Sequence, residues 1–178
     1  ADVCVAFSRS GPGIIKAEWV KGMTRDAIVF ACANPVPEIW PWEASEAGAR
    51  IVGTGRSDFA NQVNNALVFP GIFRGVLDVR ARTITDGMAL AAAHALAKSA
   101  RSAGTSAERI LPTLDDWTVP ARIAAATAAE AQREGVAALS KSEEEVYRDA
   151  LALIERARKS TEVLMAAGLI EPPVSRER

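Results

Sequence analysis

Three short, unbroken apolar runs, residues 3–7, 27–33 and 49–52, punctuate the N-terminal part of the chain. Runs that are continuous rather than alternating suit strands covered on both faces, as in a parallel sheet. Between the first two lies 16–23, where Ile15, Trp19, Val20 and Met23 recur at helical spacing; between the second and third, 42–47 is long enough for a short helix. The order strand, helix, strand, helix, strand predicts βαβ units and an α/β fold class.

Beyond residue 60 the periodicity turns helical. Stretches 64–69 and 71–79 flank Pro70, which is expected to break or re-aim a helix running through both. Thr85 is placed to cap a helix reaching residue 100, and a loop is expected over 102–106. Thr118 is placed as N-cap of a helix that carries Pro120 in its first turn and runs to about Gly135. Ser142 and Glu145 match a capping box, and Val146, Ala150, Leu153, Ile154, Ala157 and Leu164 then trace one apolar stripe. Gly168 and Pro172-Pro173 mark the stop, leaving 175–178 as a frayed tail. Half of a doubly wound parallel sheet is expected over the first 55 residues, with helices after it. No internal repeat is evident.

Composition narrows the class of function. The chain has 178 residues, 49% of them apolar, enough for a real core. Its formal net charge is -1, with both signs interspersed, so neither nucleic acid nor an anionic membrane surface is an expected partner. No apolar run approaches the roughly 18 residues of a spanning helix. The first residues read as the middle of a strand without a basic leader, which leads us to expect further sequence upstream. Cys4 and Cys32 sit inside apolar runs and read as packed thiols of a reducing cytoplasm.

In an open parallel sheet ligands bind beyond the carboxyl ends of the strands. Three polar or glycine-rich loops are expected there: 8–13, 34–38 and 53–58. Gly53-Thr54-Gly55 opens like a dinucleotide fingerprint, but Asp58 stands where the third glycine belongs, so it is not read as a pyrophosphate loop. Asn34 is followed by Pro35 and Pro37, which stiffen its loop. Its carboxamide suits a ribose hydroxyl, a carboxylate or a nicotinamide amide, and equally an Asx-turn closing the strand. Asn61, Gln62, Asn64 and Asn65 cluster before an apolar segment; Asn64 and Asn65 at a helix start would make a neutral anion site, or simply a cap with exposed neighbours. Arg56 is weighed as a group that steers a dicarboxylate against a solvated or packing role, which is favoured. His94 and Asp115-Asp116 are read as structural.

The segment Phe30-Ala31-Cys32-Ala33-Asn34-Pro35-Val36-Pro37-Glu38 resembles the malic enzyme pattern F-A-x-A-N-P-x-P-E. Residues 55–65, with the Asn64-Asn65 pair, and Phe69-Pro70-Gly71-Ile72-Phe73-Arg74-Gly75 resemble the signature of bacterial malic enzymes. By this resemblance 1–138 is expected to form the second half of a Rossmann-like doubly wound parallel sheet, the C-terminal part of an NAD(P)-binding domain, with 139–178 a C-terminal helical extension. The resemblance covers residues 1–100 well and 110–138 loosely; the tail after Ser140 matches no motif. It implies an enzyme that decarboxylates L-malate to pyruvate and carbon dioxide with NAD or NADP. It also implies cofactor contacts from Asn34 and Asn64, and substrate contacts from Asn65 and Asn34; Ser8, ending the first strand, is a further candidate cofactor contact. No catalytic or metal-binding residue is assigned within this chain. The family's lysine base, tyrosine acid, Mg or Mn ligands and glycine fingerprint are expected upstream, so the isolated chain is expected neither to turn over malate nor to hold NAD tightly. Expected partners are malate, pyruvate, the upstream part of the same enzyme and further copies of it. Malolactic enzyme, which forms lactate, shares these motifs, and a non-catalytic interaction module is the rival from another class.

Overall fold

The computed structural model describes residues 1–173; the expected tail at 175–178 lies outside the described residues. Strand β1 (Val3–Ala6), helix α1 (Ala17–Lys21), strand β2 (Ile28–Ala31), helix α2 (Pro41–Glu46) and strand β3 (Ile51–Thr54) follow in order. A 3-10 turn (Asn65–Leu67) then leads into α3 (Phe69–Asp78), α4 (Asp86–Ser102), α5 (Thr118–Arg133) and α6 (Glu143–Ala166). The strands form one parallel sheet in the order β1-β2-β3, with Ala6, Ala31 and Thr54 in register. Parallel pairing puts all three carboxyl ends on one edge, and the loops that leave them share that edge.

Two details depart from expectation. The third strand starts and ends later than 49–52, because Gly53 and Thr54 pair with Phe30 and Ala31 instead of opening a loop. Gly53 is squeezed there: a Cβ would stand 2.9 Å from the Val63 side chain and 3.0 Å from Phe30. Burial on both faces is not reached: in β2 the Val29 and Ala31 face is sealed while Ile28 and Phe30 on the other are half-buried. In β1, Val3, Val5 and Phe7 are 48%, 53% and 77% exposed, and the strand order leaves β1 at an edge of the sheet.

The rest is a helical layer built on α5. Its alanines Ala121, Ala124, Ala125, Ala128 and Ala131 are buried, and α3, α4 and α6 all pack on it. Thr85 caps α4 by accepting from the Met88 N–H at 3.2 Å, and the Ser142–Glu145 capping box opens α6. At α5 the expected cap moves by one residue. Thr118 is already helical, and Asp116 accepts from both its N–H and its hydroxyl. Pro70 does not break a helix; it lies in the first turn of α3, where its missing N–H leaves no bond unmade. The α6 stripe is half used: Val146 and Ala150 join the core, while Leu153 and Leu164 are exposed.

Helix α3 seats on α5 through two glycines one turn apart. A Cβ on Gly71 would meet Ile123 and the Pro120 carbonyl at 2.7 Å, and one on Gly75 would run into the Ala124 carbonyl. Only hydrogen fits at either position.

At the ligand edge the decisive side chain is Glu38, which is fully buried. Its Oε1 accepts from the Ser8 N–H at 2.8 Å and the Ser8 hydroxyl at 3.0 Å, and its Oε2 accepts from the Ala33 N–H at 3.0 Å. The Glu38 backbone carbonyl accepts from Ile14 and Ile15, and the Val36 carbonyl accepts from Gly11. The loops after β1 and β2 are thereby zipped together. Burial alone would raise the Glu38 pKa; the hydrogen bonds from Ser8 and Ala33 outweigh it and leave the carboxyl below its ordinary 4.5.

Two expectations follow. Gly75→Ala should destabilise the fold by about 2–3 kcal/mol in urea titration. Gly22→Ala, where a Cβ would meet nothing closer than 3.5 Å, should be close to neutral. A group with a depressed native pKa stabilises above its unfolded value and loses that contribution as pH falls through the native one. Glu38→Gln should therefore cost roughly 2 kcal/mol at neutral pH. The gap from wild type should close as the solution is acidified below 4.5. A gap independent of pH would show that the charge is not what stabilises the loops.

Candidate functional site

An open groove of about 470 Å³ lies where the loops after β2 and β3 face each other, lined by Asn34, Gly55, Arg56, Asp58, Gln62 and Asn64 among others. Gly55 is its meeting point. Its backbone carbonyl accepts from the Asn64 Nδ2 at 3.1 Å, and a Cβ there would stand 3.1 Å from Asn34 Oδ1 and 3.2 Å from Asn34 Nδ2. The absent side chain lets the two asparagines approach from opposite walls. Asn64 Oδ1 accepts from the Ala66 N–H at 2.9 Å, which caps the 3-10 turn and fixes the amide's orientation. Asn34, joined to Pro35 by a cis peptide bond, is exposed, and among the described residues its carboxamide makes no hydrogen bond.

The other amides separate. Asn61 is buried at a φ of 54°; its Nδ2 donates to Val52 and Ala107, and its Oδ1 accepts from Ile110, so it stitches β3 to the loop ahead of α5. Asn65 opens the 3-10 turn beside Asn64 and is exposed, outside the residues that line the groove. Ser8 also lies outside that lining, with its N–H and hydroxyl both directed to Glu38.

One ion pair closes the outer end of the groove. Arg56 donates Nε to Asp58 Oδ1 at 2.8 Å and Nη2 to Asp58 Oδ2 at 2.7 Å, while Nη1 donates to the Pro35 carbonyl at 3.0 Å. Hydrogen bonding between the partners raises the arginine's pKa and lowers the aspartate's. Burial and then the Glu38 charge push the Cys32 thiol up.

Sequence reading missed Glu38 and the Arg56–Pro35 bridge. The signal for the first was available: an acid wedged between Pro37 and the apolar Ile39 must be paired if that segment is buried. The second had none, because the link runs 21 residues back along the chain.

Chemically, the groove offers neutral amides and one satisfied ion pair. That suits holding a hydroxyl, carboxylate or carboxamide, and it supplies no free acid or base. Among the described residues no three His, Cys, Asp or Glu side chains converge to hold a metal ion, and no helix is long and apolar enough to cross a membrane. A larger hollow of about 820 Å³ lies between α4, α5 and α6. Several alanines with Lys98, Arg122, Glu143 and Glu144 line it, and none of its lining residues is shared with the smaller groove. The smaller groove is the candidate site, because among the described residues strand-end loops, amides and a close approach to a glycine coincide there.

Residues 10–132, more than half of the chain, match the family model described as malic enzyme, NAD binding domain. The chain is 49% identical over 146 residues to a bifunctional malic/malolactic enzyme of Bacillus subtilis, spanning 82% of this chain and 35% of that one. It is 50% identical over 137 residues to an NAD-dependent malic enzyme of Geobacillus stearothermophilus, spanning 77% of this chain and 28% of that one. The crystal structure of the Entamoeba histolytica malic enzyme superposes with a TM-score of 0.94 at 49% identity, covering 96% of this chain and 35% of its own. The chain thus spans about a third of the length of the relatives it matches. With its three parallel strands and the amide-lined groove at their carboxyl ends, this chain belongs to the malic enzyme family, as part of the NAD-binding domain.

Proposed function

We propose that the whole protein oxidises and decarboxylates L-malate to pyruvate and carbon dioxide, with NAD or NADP as hydride acceptor, and that this chain holds substrate against the nicotinamide. The observation that carries this reading is the approach of Asn34 and Asn64 from opposite walls onto Gly55. Two neutral amides that meet at one glycine can bind a ribose hydroxyl and a substrate carboxylate together without repelling either.

In this reading Asn34 and Asn64 hold the cofactor's nicotinamide end, with Ser8 as a more distant contact. Asn65 and Asn34 hold malate. The nicotinamide, when bound, supplies the hydride acceptor. The residues of this chain keep the malate carboxylate and hydroxyl in one orientation, so that its C2 hydrogen faces the ring. The base, the acid and the Mg or Mn ligands belong to the part of the enzyme beyond this chain. The open β1 edge, with Val3, Val5 and Phe7 exposed, suits docking of that part. Division into a domain body at 1–138 and an extension at 139–178, self-association and a cytoplasmic setting belong to the same proposal. Support for the division comes from the family match, which stops at 132.

One observation favours a second reaction: the likeness to an enzyme named as both malic and malolactic. The distinction is in the product. Full-length enzyme given malate and NAD should release pyruvate with stoichiometric NADH; lactate without net NADH would assign the malolactic reaction, and no turnover would remove both. In the active enzyme, Asn34→Ala and Asn65→Ala should each lower kcat/KM for malate about 100-fold. The melting temperature should stay within about 3 °C of wild type. Wild-type kinetics from Asn65→Ala would take that residue out of the site.

A further inference from the structure

Asn34 is the groove's exposed amide, and among the described residues nothing hydrogen-bonds its side chain. Its direction must therefore come from the backbone on either side. On the N-terminal side the anchor is buried: the Ala33 N–H donates to Glu38 Oε2 at 3.0 Å. On the C-terminal side the anchor is the Pro35 carbonyl, which accepts from Arg56 Nη1 at 3.0 Å.

Arg56 is itself held from several directions. Asp58 takes its Nε and Nη2 in a bidentate pair, the Phe59 ring lies 5.4 Å from the guanidinium carbon, and its own N–H donates to Thr54 Oγ1 at 3.3 Å. A planar guanidinium fixed by a fork-to-fork carboxylate pair keeps one edge free and aimed. Here the remaining edge reaches from the β3 loop to the β2 loop. The guanidinium spans the groove's two walls at its outer end, where solvent would otherwise let the Asn34 loop drift.

We infer that Arg56 is a positioning residue for Asn34, with Asp58 setting the guanidinium and the guanidinium setting the Asn34-Pro35 segment. This rests on the reading of the groove as the malate and nicotinamide site. It goes beyond that reading by assigning a positioning role to an ion pair to which that reading gives none. A lysine at 56 can reach the Pro35 carbonyl or Asp58 but lacks the fork that engages both at once.

A double-mutant cycle on full-length enzyme tests this, using Arg56→Met, Asn34→Ala and the pair. If Arg56 works through Asn34, Arg56→Met lowers kcat about 10- to 100-fold with the KM for malate changed less than 3-fold, since misorientation is felt at the reacting atoms. In the Asn34→Ala background the same substitution then changes kcat less than 2-fold. Arg56→Lys recovers part of the loss and Asp58→Asn reproduces part of it. Where Asn34→Ala leaves too little turnover, the cycle is read from the Kd of NADH by fluorescence. Should Arg56→Met not fold, Arg56→Gln takes its place. Additive losses would make Arg56 a direct ligand contact and overturn the proposal, as would wild-type kinetics in Arg56→Met. A wild-type enzyme that ignores malate would instead overturn the reading of the site itself.

Discussion

The ligand edge depends on a carboxylate sealed from water. Glu38 faces two N–H groups and one hydroxyl, and without them a buried charge would be too costly to keep. With them, one side chain fixes where the loops after β1 and β2 both begin. Everything that approaches the groove from the β2 side inherits that fixed point. The arrangement explains why a segment with two prolines and an exposed asparagine can be both irregular and well placed: its backbone is tied at its root and bridged at its outer end by Arg56.

The opposite wall has another origin. Asn64 belongs to the turn that feeds α3, and α3 is located by its contact with α5 rather than by the sheet. Gly71 and Gly75 allow that contact to be made backbone to backbone. The Asn64 wall is tied to the sheet directly, by the Val63 N–H to the Thr54 carbonyl at 2.7 Å and by Asn64 Nδ2 to the Gly55 carbonyl at 3.1 Å, so it links two layers with separate cores, one around Val29, Ile39 and Ala44 and the other around Ala124, Ala128 and Val146.

Much of this could be read from the sequence, for physical reasons. The unbroken apolar run over 27–33 marks β2, although only its Val29 and Ala31 face is sealed; local rules of capping identify Thr85 and the Ser142–Glu145 pair. The β3 boundary was misjudged because glycine and threonine look like loop residues, and only the close approach of Val63 explains a glycine inside that strand. Of four clustered amides, sequence could not tell Asn61, buried and fully bonded, from Asn64 in the groove, since the difference lies in contacts to Ala107 and Ile110 more than 40 residues away. Pro70 was read as a breaker because the pattern does not reveal that the helix starts with it. The family motifs single out Asn34 and Asn64, which the fold brings onto Gly55, but they do not indicate that the motif glutamate is the internal tie.

In the proposed site, the Asn34 amide, exposed and without a hydrogen bond among the described residues, has a consequence for selectivity. Until a ligand arrives, its donors and acceptor are hydrated, so a matching ligand only exchanges one set of partners for another and gains little net affinity. A ligand of the same shape but without the matching group would strip that water and return nothing, a penalty that can separate near-identical compounds by orders of magnitude. A side chain in that condition works less as a grip than as a sieve, rejecting impostors more strongly than it retains the right molecule.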